Sequence, residues 1–471
     1  MTTPRPDVPS DGPASVPPPG CPAHDMGPDG LHRLYGPVAE ADPRAMYELL
    51  RREYGPVAPV LLHGDLPAWL VLGHREILEV VRTPSLFTRD SRHWSMFQQG
   101  RVAPDSPLTP MLAWQPLCAF ADGDEHARLR GAVTDGLAQF NRHGVRRYVT
   151  RHTRRLVESF AEAGEADLIR DYAEKLPMLV MTQLLGLPEE NAARLADASP
   201  GPMRDAGTAR ADDDFARETL RALVRRKRQR PGRDLASSLI SHESGLTEDE
   251  VVEHLRLVLV AAHETTVNLI ANTLRLVLTD RRFRASLSGG QMTLPDALEQ
   301  VLWDAPPLST IPGRWAVGDT VLGGRRIKAG DLMMLALAAG NTDPAIRPDL
   351  SAPVHGNRSH LSFSGGPHAC PGQDIGRAIA DTGIDTLLTL LPGLELAVSE
   401  AALVTSAAWL NERVESLPVR FTPQRPGAAP AAEESTPQER SRPLPAAVGA
   451  PGSATDRPGS EPRPWWKSLL G

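Results

Sequence analysis

One uninterrupted helical stretch limits what this chain can fold into. Thr247-Glu248-Asp249-Glu250 has the spacing of a capping box, in which the threonine hydroxyl accepts from the amide three residues on and the glutamate reaches back. Neither proline nor glycine occurs from there to Thr279, and roughly 30 residues at about 1.5 Å each cross most of a globular domain. Apolar side chains fall on nearly every face, so other elements must enclose this helix. A membrane span is not expected, because Arg256, His263, Glu264, Asn268, Asn272 and Arg275 interrupt the roughly 20 apolar residues that a bilayer requires. The stretch predicts a mainly α-helical body around a buried central rod.

Within that rod, Ala261-Ala262-His263-Glu264-Thr265-Thr266 places an acid and hydroxyls in apolar surroundings. Burying a carboxyl costs free energy that packing alone does not recover, and a mid-helix threonine competes for the carbonyl four residues back. The plain reading is a satisfied polar pair facing a neighbouring helix; the sharper one is proton chemistry. His263-Glu264 also opens a His-Glu-x-x-His zinc motif, but Val267 stands where the second histidine belongs.

A second feature is the loop Phe363-Ser364-Gly365-Gly366-Pro367-His368-Ala369-Cys370-Pro371-Gly372, which runs into a helical pattern from Gln373 to Leu391. A cysteine placed there is either an inert small hydrophobe or a thiolate. Loop amides and the N-terminal end of the next helix stabilise negative sulfur and favour the thiolate.

With Ser364 in place of a glycine as its one departure, this loop resembles the haem-binding segment of the cytochrome P450 superfamily: Phe, Gly, any, Gly, any, His, any, Cys, any, Gly. The resemblance implies a mainly α haem-thiolate fold with a long central helix and small β-sheets. It makes Cys370 the axial ligand of the iron in haem b, a ligand type that favours O–O cleavage. Phe363 joins the cofactor-binding set. Asp122 to Arg130 resembles the family's His-x-x-x-Arg element, so His126 and Arg130, four apart on one helical face, are expected at a haem propionate, together with Arg314 and His368. Glu264 and Thr265 resemble the acid–alcohol pair above the haem, the threonine bonding bound oxygen and the acid relaying protons. Ala262 stands where glycine is usual. Arg377 matches a position where the family meets its redox partner.

One family motif is broken. Asp296-Ala297-Leu298-Glu299-Gln300-Val301-Leu302-Trp303-Asp304 aligns with a helix whose Glu-x-x-Arg ion pair braces the cysteine loop, yet Gln300 and Trp303 occupy the two charged positions. The arginine that completes the family's brace has no counterpart in Pro348 to Ala352. Losing one partner of a buried pair costs about 3–5 kcal/mol, whereas replacing all partners by well-packed groups can be neutral. The concerted loss implies a rebuilt brace in which the Gln300 amide and the Trp303 indole make neutral hydrogen bonds. Some actinomycete members of the family also lack the pair, and the chain resembles them.

Residues 25–423 are expected to form the haem-thiolate domain. Residues 1–24, Pro-rich, and 424–471, rich in Ala, Pro, Glu and Gly, have too few apolar anchors to offset the entropy of ordering. The last segment ends in Trp465-Trp466, read as a loose tail or a docking peptide. A net charge of −7 over 471 residues speaks against nucleic acid. Three cysteines, Cys21, Cys118 and Cys370, make no disulfide framework, and the expected location is the cytoplasm. Arg142, Arg146, Arg147, Arg151, Arg154 and Arg155 form a basic run that reads as a solvated face or as an attractor for an acidic electron carrier. Trp94, Met96, Phe97, Met111 and Trp114 suit a small lipophilic organic substrate. The expected function is a monooxygenase inserting one atom of O2, with electrons from NAD(P)H through a ferredoxin and its reductase. The alternative is a haem-binding sensor or scaffold with little turnover.

Overall fold

The computed structural model describes residues 30–103, 106–197, 206–290, 292–352, 354, 356–407 and 409–424. The expected terminal segments 1–24 and 424–471, with Trp465 and Trp466, lie outside these residues except for Gln424, whose amide donates to Ala161 O at 2.9 Å.

After a short helical turn at Pro37–Ala41, the helix Pro43–Tyr54 starts where Asp42 accepts from the Ala45 amide. Strands Val57–Leu62 and Leu66–Val71 follow as an antiparallel hairpin with Leu62 opposite Leu66. In the second strand Leu66 points inward while Pro67 faces out. Leu66–Val71 pairs in parallel with Leu332–Leu335, which pairs antiparallel with Ile311–Ala316. Phe87–Thr88 closes the edge of this six-stranded sheet against Trp315 and Ala316.

An irregularity between Pro312 and Arg314 breaks the register of that inner pair. Gly313 sits there at φ 92°, and a Cβ on it would lie 2.9 Å from Arg89 Nη1. The left-handed backbone and the tight approach both require glycine. The kink lets the Arg314 side chain turn inward, where it is 4% exposed.

The long helix is Glu248–Thr279, with both capping-box bonds formed at Thr247. One 18-residue window of it is apolar enough to cross a membrane, but 67% of that window is packed inside the protein. Helices Leu176–Leu185, Ala206–Gln229, Leu294–Asp304 and Gln373–Leu390 surround it. Leu255, Ile270 and Leu274 are fully enclosed in the resulting core. A polar stripe at fourfold spacing, Glu264, Asn268 and Asn272, staples the rod to what covers it. Asn268 donates to Pro307 O at 3.0 Å, Asn272 to Ala305 O at 3.1 Å, and Glu264 accepts from Asn411 at 3.1 Å. The segment 305–311 is thereby held along the rod, opposite the cysteine loop.

Candidate active site

Backbone strain and close packing shape the cysteine loop. Gly366 has φ 64°, and a Cβ there would come within 2.0 Å of Val81 O, so no larger residue fits. Ser364 also adopts a left-handed φ of 57°, at the position where the family uses glycine. A β-carbon in that region costs roughly 1–2 kcal/mol. Cys370 N donates to Phe363 O at 2.9 Å, which ties the two ends of the loop together. The helix Gln373–Leu390 begins just beyond. Burial pushes the Cys370 thiol up, while the Gly372 amide and the Arg130 and Arg377 cations pull it down. Those opposing influences are what a thiolate ligand needs once a metal removes its proton.

Cys370 opens into a cavity of about 310 Å³ between the loop and the long helix. Its walls are mostly apolar, with Leu257, Val258, Ala261, Leu308 and Ile311 on one side and Phe363, Ile375 and Ile379 on the other. One end is strongly basic. Arg89, Arg130, Arg314 and His368 all line it. Arg89 Nη1 and Arg314 Nη1 converge on Gly313 O at 2.7 and 3.2 Å. Desolvation, and then Arg89, hold the Arg314 guanidinium well below its usual range.

One carboxylate, Asp122, faces these cations, and its oxygens already accept from Thr88 Oγ1 at 2.6 Å and the Arg89 amide at 2.7 Å. It also lies 3.0 Å from His368 Nε2. Burial nevertheless lowers His368 to about 4, so the ring is neutral at neutral pH. The His126 and His368 rings stand 4.1 Å apart, and His126 Nε2 is buried without a partner. Arg130 donates to Ala369 O, beside the cysteine.

A surplus of buried positive charge and an orphaned imidazole nitrogen at one end of an apolar slot call for a flat group carrying carboxylates. The residues present therefore fit haem b. Arg89 is a member of this basic end that sequence reasoning missed. Beside Asp90 it reads as a surface charge, and only the pairing of Phe87–Thr88 with Ile311–Ala316 brings it to Gly313.

On the rod side, Thr265 lines the cavity and donates its hydroxyl to Ala261 O at 2.7 Å. Ala262 lines it too. Glu264 does not: its carboxylate turns the other way, to Asn411. His263 faces Glu174 O at 3.0 Å, in a structural role. Cys118 is buried and also lines the cavity.

Below the loop, Trp303 Nε1 donates to Asn357 O at 2.8 Å, and Gln300 bonds Asp304 and the Val354 amide. The bonds to Val354 and Asn357 are neutral, as the sequence suggested, while the Gln300 amide also donates to the Asp304 carboxylate. Pro348 to Ala352 carries no arginine, but the residue just before it does: buried Arg347 lies 5.3 Å from the Trp303 ring centre and bonds Asp304 at 2.8 Å. Arg377 does not face outward, because its two-point bond to Glu299 draws it inside. In the basic helix Arg142–Glu158, Arg142 and Arg146 reach Asp381 of the cysteine helix at 3.2 and 3.0 Å, while Arg147, Arg151 and Arg154 are exposed.

No family model matches the chain, but individual proteins do. It is 31% identical over 409 residues to vitamin D(3) 25-hydroxylase of Pseudonocardia autotrophica, covering 83% of this chain and 97% of that one. It is 31% identical to the cytochrome P450 monooxygenase PikC of Streptomyces venezuelae, over 81% and 91% of the two chains. Among solved structures, a myxobacterial cytochrome P450 in complex with myristic acid superposes with a TM-score of 0.73 at 30% identity, over 82% and 98%. Sequence and fold agree over nearly the whole of these relatives: the chain belongs to the cytochrome P450 superfamily, the haem b-dependent monooxygenases.

Proposed function

We propose that this monooxygenase oxidises a lipophilic organic molecule held against Leu257, Val258, Ala261, Leu308 and Ile311, with electrons from NAD(P)H through a ferredoxin and its reductase. The observation that carries the substrate class is the wall itself, which among the described residues has no charged side chain away from the basic end. Apolar lining excludes water and favours apolar ligands. Relatives named for vitamin D3 and found with myristic acid fit the same class.

Haem b supplies the oxygen activation when bound. Cys370 would be its thiolate ligand, with Phe363 beside the loop, and Arg130, Arg314, His126 and His368 would hold its propionates, with Arg89 adding a further cation. Thr265 carries into the cavity a hydroxyl, now donated to Ala261 O, that would hold a proton at the cofactor face of the cavity once released. Glu264 would supply protons, which requires its carboxylate to turn from Asn411 toward Thr265. Exposed Arg147, Arg151 and Arg154, on a helix packed against the cysteine helix, suit an acidic electron carrier in the cytoplasm.

A sensor or scaffold reading draws on Glu264 facing away from the cavity. The holoenzyme decides between them in a lipophilic compound library, with a plant-type ferredoxin and reductase as electron source. A substrate-induced spin shift with coupled NAD(P)H consumption and an oxygenated product is the expected result. Firm haem retention with neither would instead establish the sensor.

A further inference from the structure

We propose that a charged clamp between Glu299 and Arg377 braces the Cys370 loop in place of the missing Glu-x-x-Arg pair, and that Arg377 serves this clamp rather than a docking surface. The proposal rests on reading Cys370 as the haem ligand. Glu299 precedes Gln300 by one residue and is 4% exposed. Its Oε1 accepts from Arg377 Nε at 2.7 Å and its Oε2 from Arg377 Nη2 at 3.2 Å. His360 Nε2 lies 3.0 Å from Oε2, and Arg358 Nε stands 3.6 Å from Oε1 on the solvent side. A buried carboxylate is tolerated only when paired and hydrogen-bonded, and this one has three nitrogen-bearing neighbours.

From the clamp, contacts lead to the sulfur. The Arg377 guanidinium lies 4.4 Å from the Phe363 ring centre, and the His360 ring 5.7 Å from it. Phe363 in turn receives the Cys370 amide at 2.9 Å. Arg377 sits on the helix that the cysteine loop feeds, so the clamp joins the helix Leu294–Asp304 directly to that helix.

Helix geometry explains why the acid at 299 and the amide at 300 serve different neighbours. Successive residues are turned by about 100°, so position 300 faces Val354 while position 299 faces the cysteine helix. Gln300 and Trp303 hold Val354 and Asn357 by neutral bonds, and the charged contact lies on the neighbouring face. Charge and shape both matter, because a two-point arginine contact is not reproduced by lysine.

The test uses the holoenzyme and the variants Glu299→Gln, Arg377→Gln, Arg377→Lys and the double Glu299→Gln/Arg377→Gln. Haem transfer to excess apomyoglobin and the Soret position of the ferrous carbonyl complex are followed. Each single glutamine variant is expected to lose haem about tenfold faster or more and to shed the thiolate-type Soret band, because it strands a buried charge. Arg377→Lys should fall between them and the wild type. The double variant should lose haem more slowly than the product of the single effects.

Wild-type retention in both singles, or simple additivity in the double, overturns the clamp. So does a salt-dependent slowing of reduction by ferredoxin in Arg377→Gln with haem retention unchanged, which would return Arg377 to a docking role. Should a single variant fail to take up haem, recovery in the double supports the clamp and no recovery overturns it. Cys370→Ser tests the underlying reading separately: a persisting thiolate Soret band would refute the ligand assignment itself.

Discussion

Ser364 shows how a single departure from a motif leaves a residue in strained backbone. The loop needs a left-handed backbone at this point, and serine supplies it with a β-carbon in the way. Ser364→Gly removes that clash, though glycine loosens the unfolded chain. A gain of up to about 1 kcal/mol in thermal stability with an unchanged Soret band is expected. Glu264 poses the functional question at the same scale. If it feeds protons to the cavity, Glu264→Gln lowers kcat on the order of 10²-fold with KM little changed and a raised solvent isotope effect. An unchanged kcat would remove the acid from the mechanism. Cys370, Thr265 and the histidines could be picked out by residue type and spacing. Arg89 could not, because its role comes from a strand pairing more than 220 residues away in sequence.

Among the elements, the long helix was the most legible, since its capping box and its all-round apolarity are local properties. Thr247→Ala removes the hydroxyl that accepts from the Glu250 amide, leaving the backbone half of the capping box, and should lower stability by about 1 kcal/mol without altering haem content. Calorimetry with a haem assay checks both parts. Hairpins were equally readable: Gly323 and Gly324, at φ 54° and 79°, join Thr320–Leu322 to Arg325–Ile327 as their sequence suggests. The helix Leu294–Asp304 was harder. Its sequence shows that two charges are missing, but not that Glu299 faces the cysteine helix or that Arg347 folds over Trp303.

For the whole molecule, the clamp leaves a pH signature. Glu299 is held at about 2, against an ordinary value of 4.5, by His360 and then Arg377, which together outweigh its burial. A carboxylate lowered in the folded state adds stability that is complete above its unfolded value and is lost as pH falls toward the folded one. The clamp's contribution therefore holds above about pH 4.5 and fades toward pH 2. Glu299→Gln should be less stable than the wild type at neutral pH, with the difference shrinking through that window. Thermal midpoints measured from pH 7 to pH 3 check the sign, and a gap that widens in acid would contradict it. The amino-acid order by itself determined the central rod, the cysteine loop and most of the basic residues around the cavity, because helix caps, apolar periodicity and motif spacing are properties of neighbours in the chain. Tertiary structure alone decided that Glu264 faces Asn411, that Arg89 joins the basic end, and that Arg377 turns inward to Glu299. Each of these depends on which distant segment packs against it, and a side chain's partner in space is fixed only when the core closes.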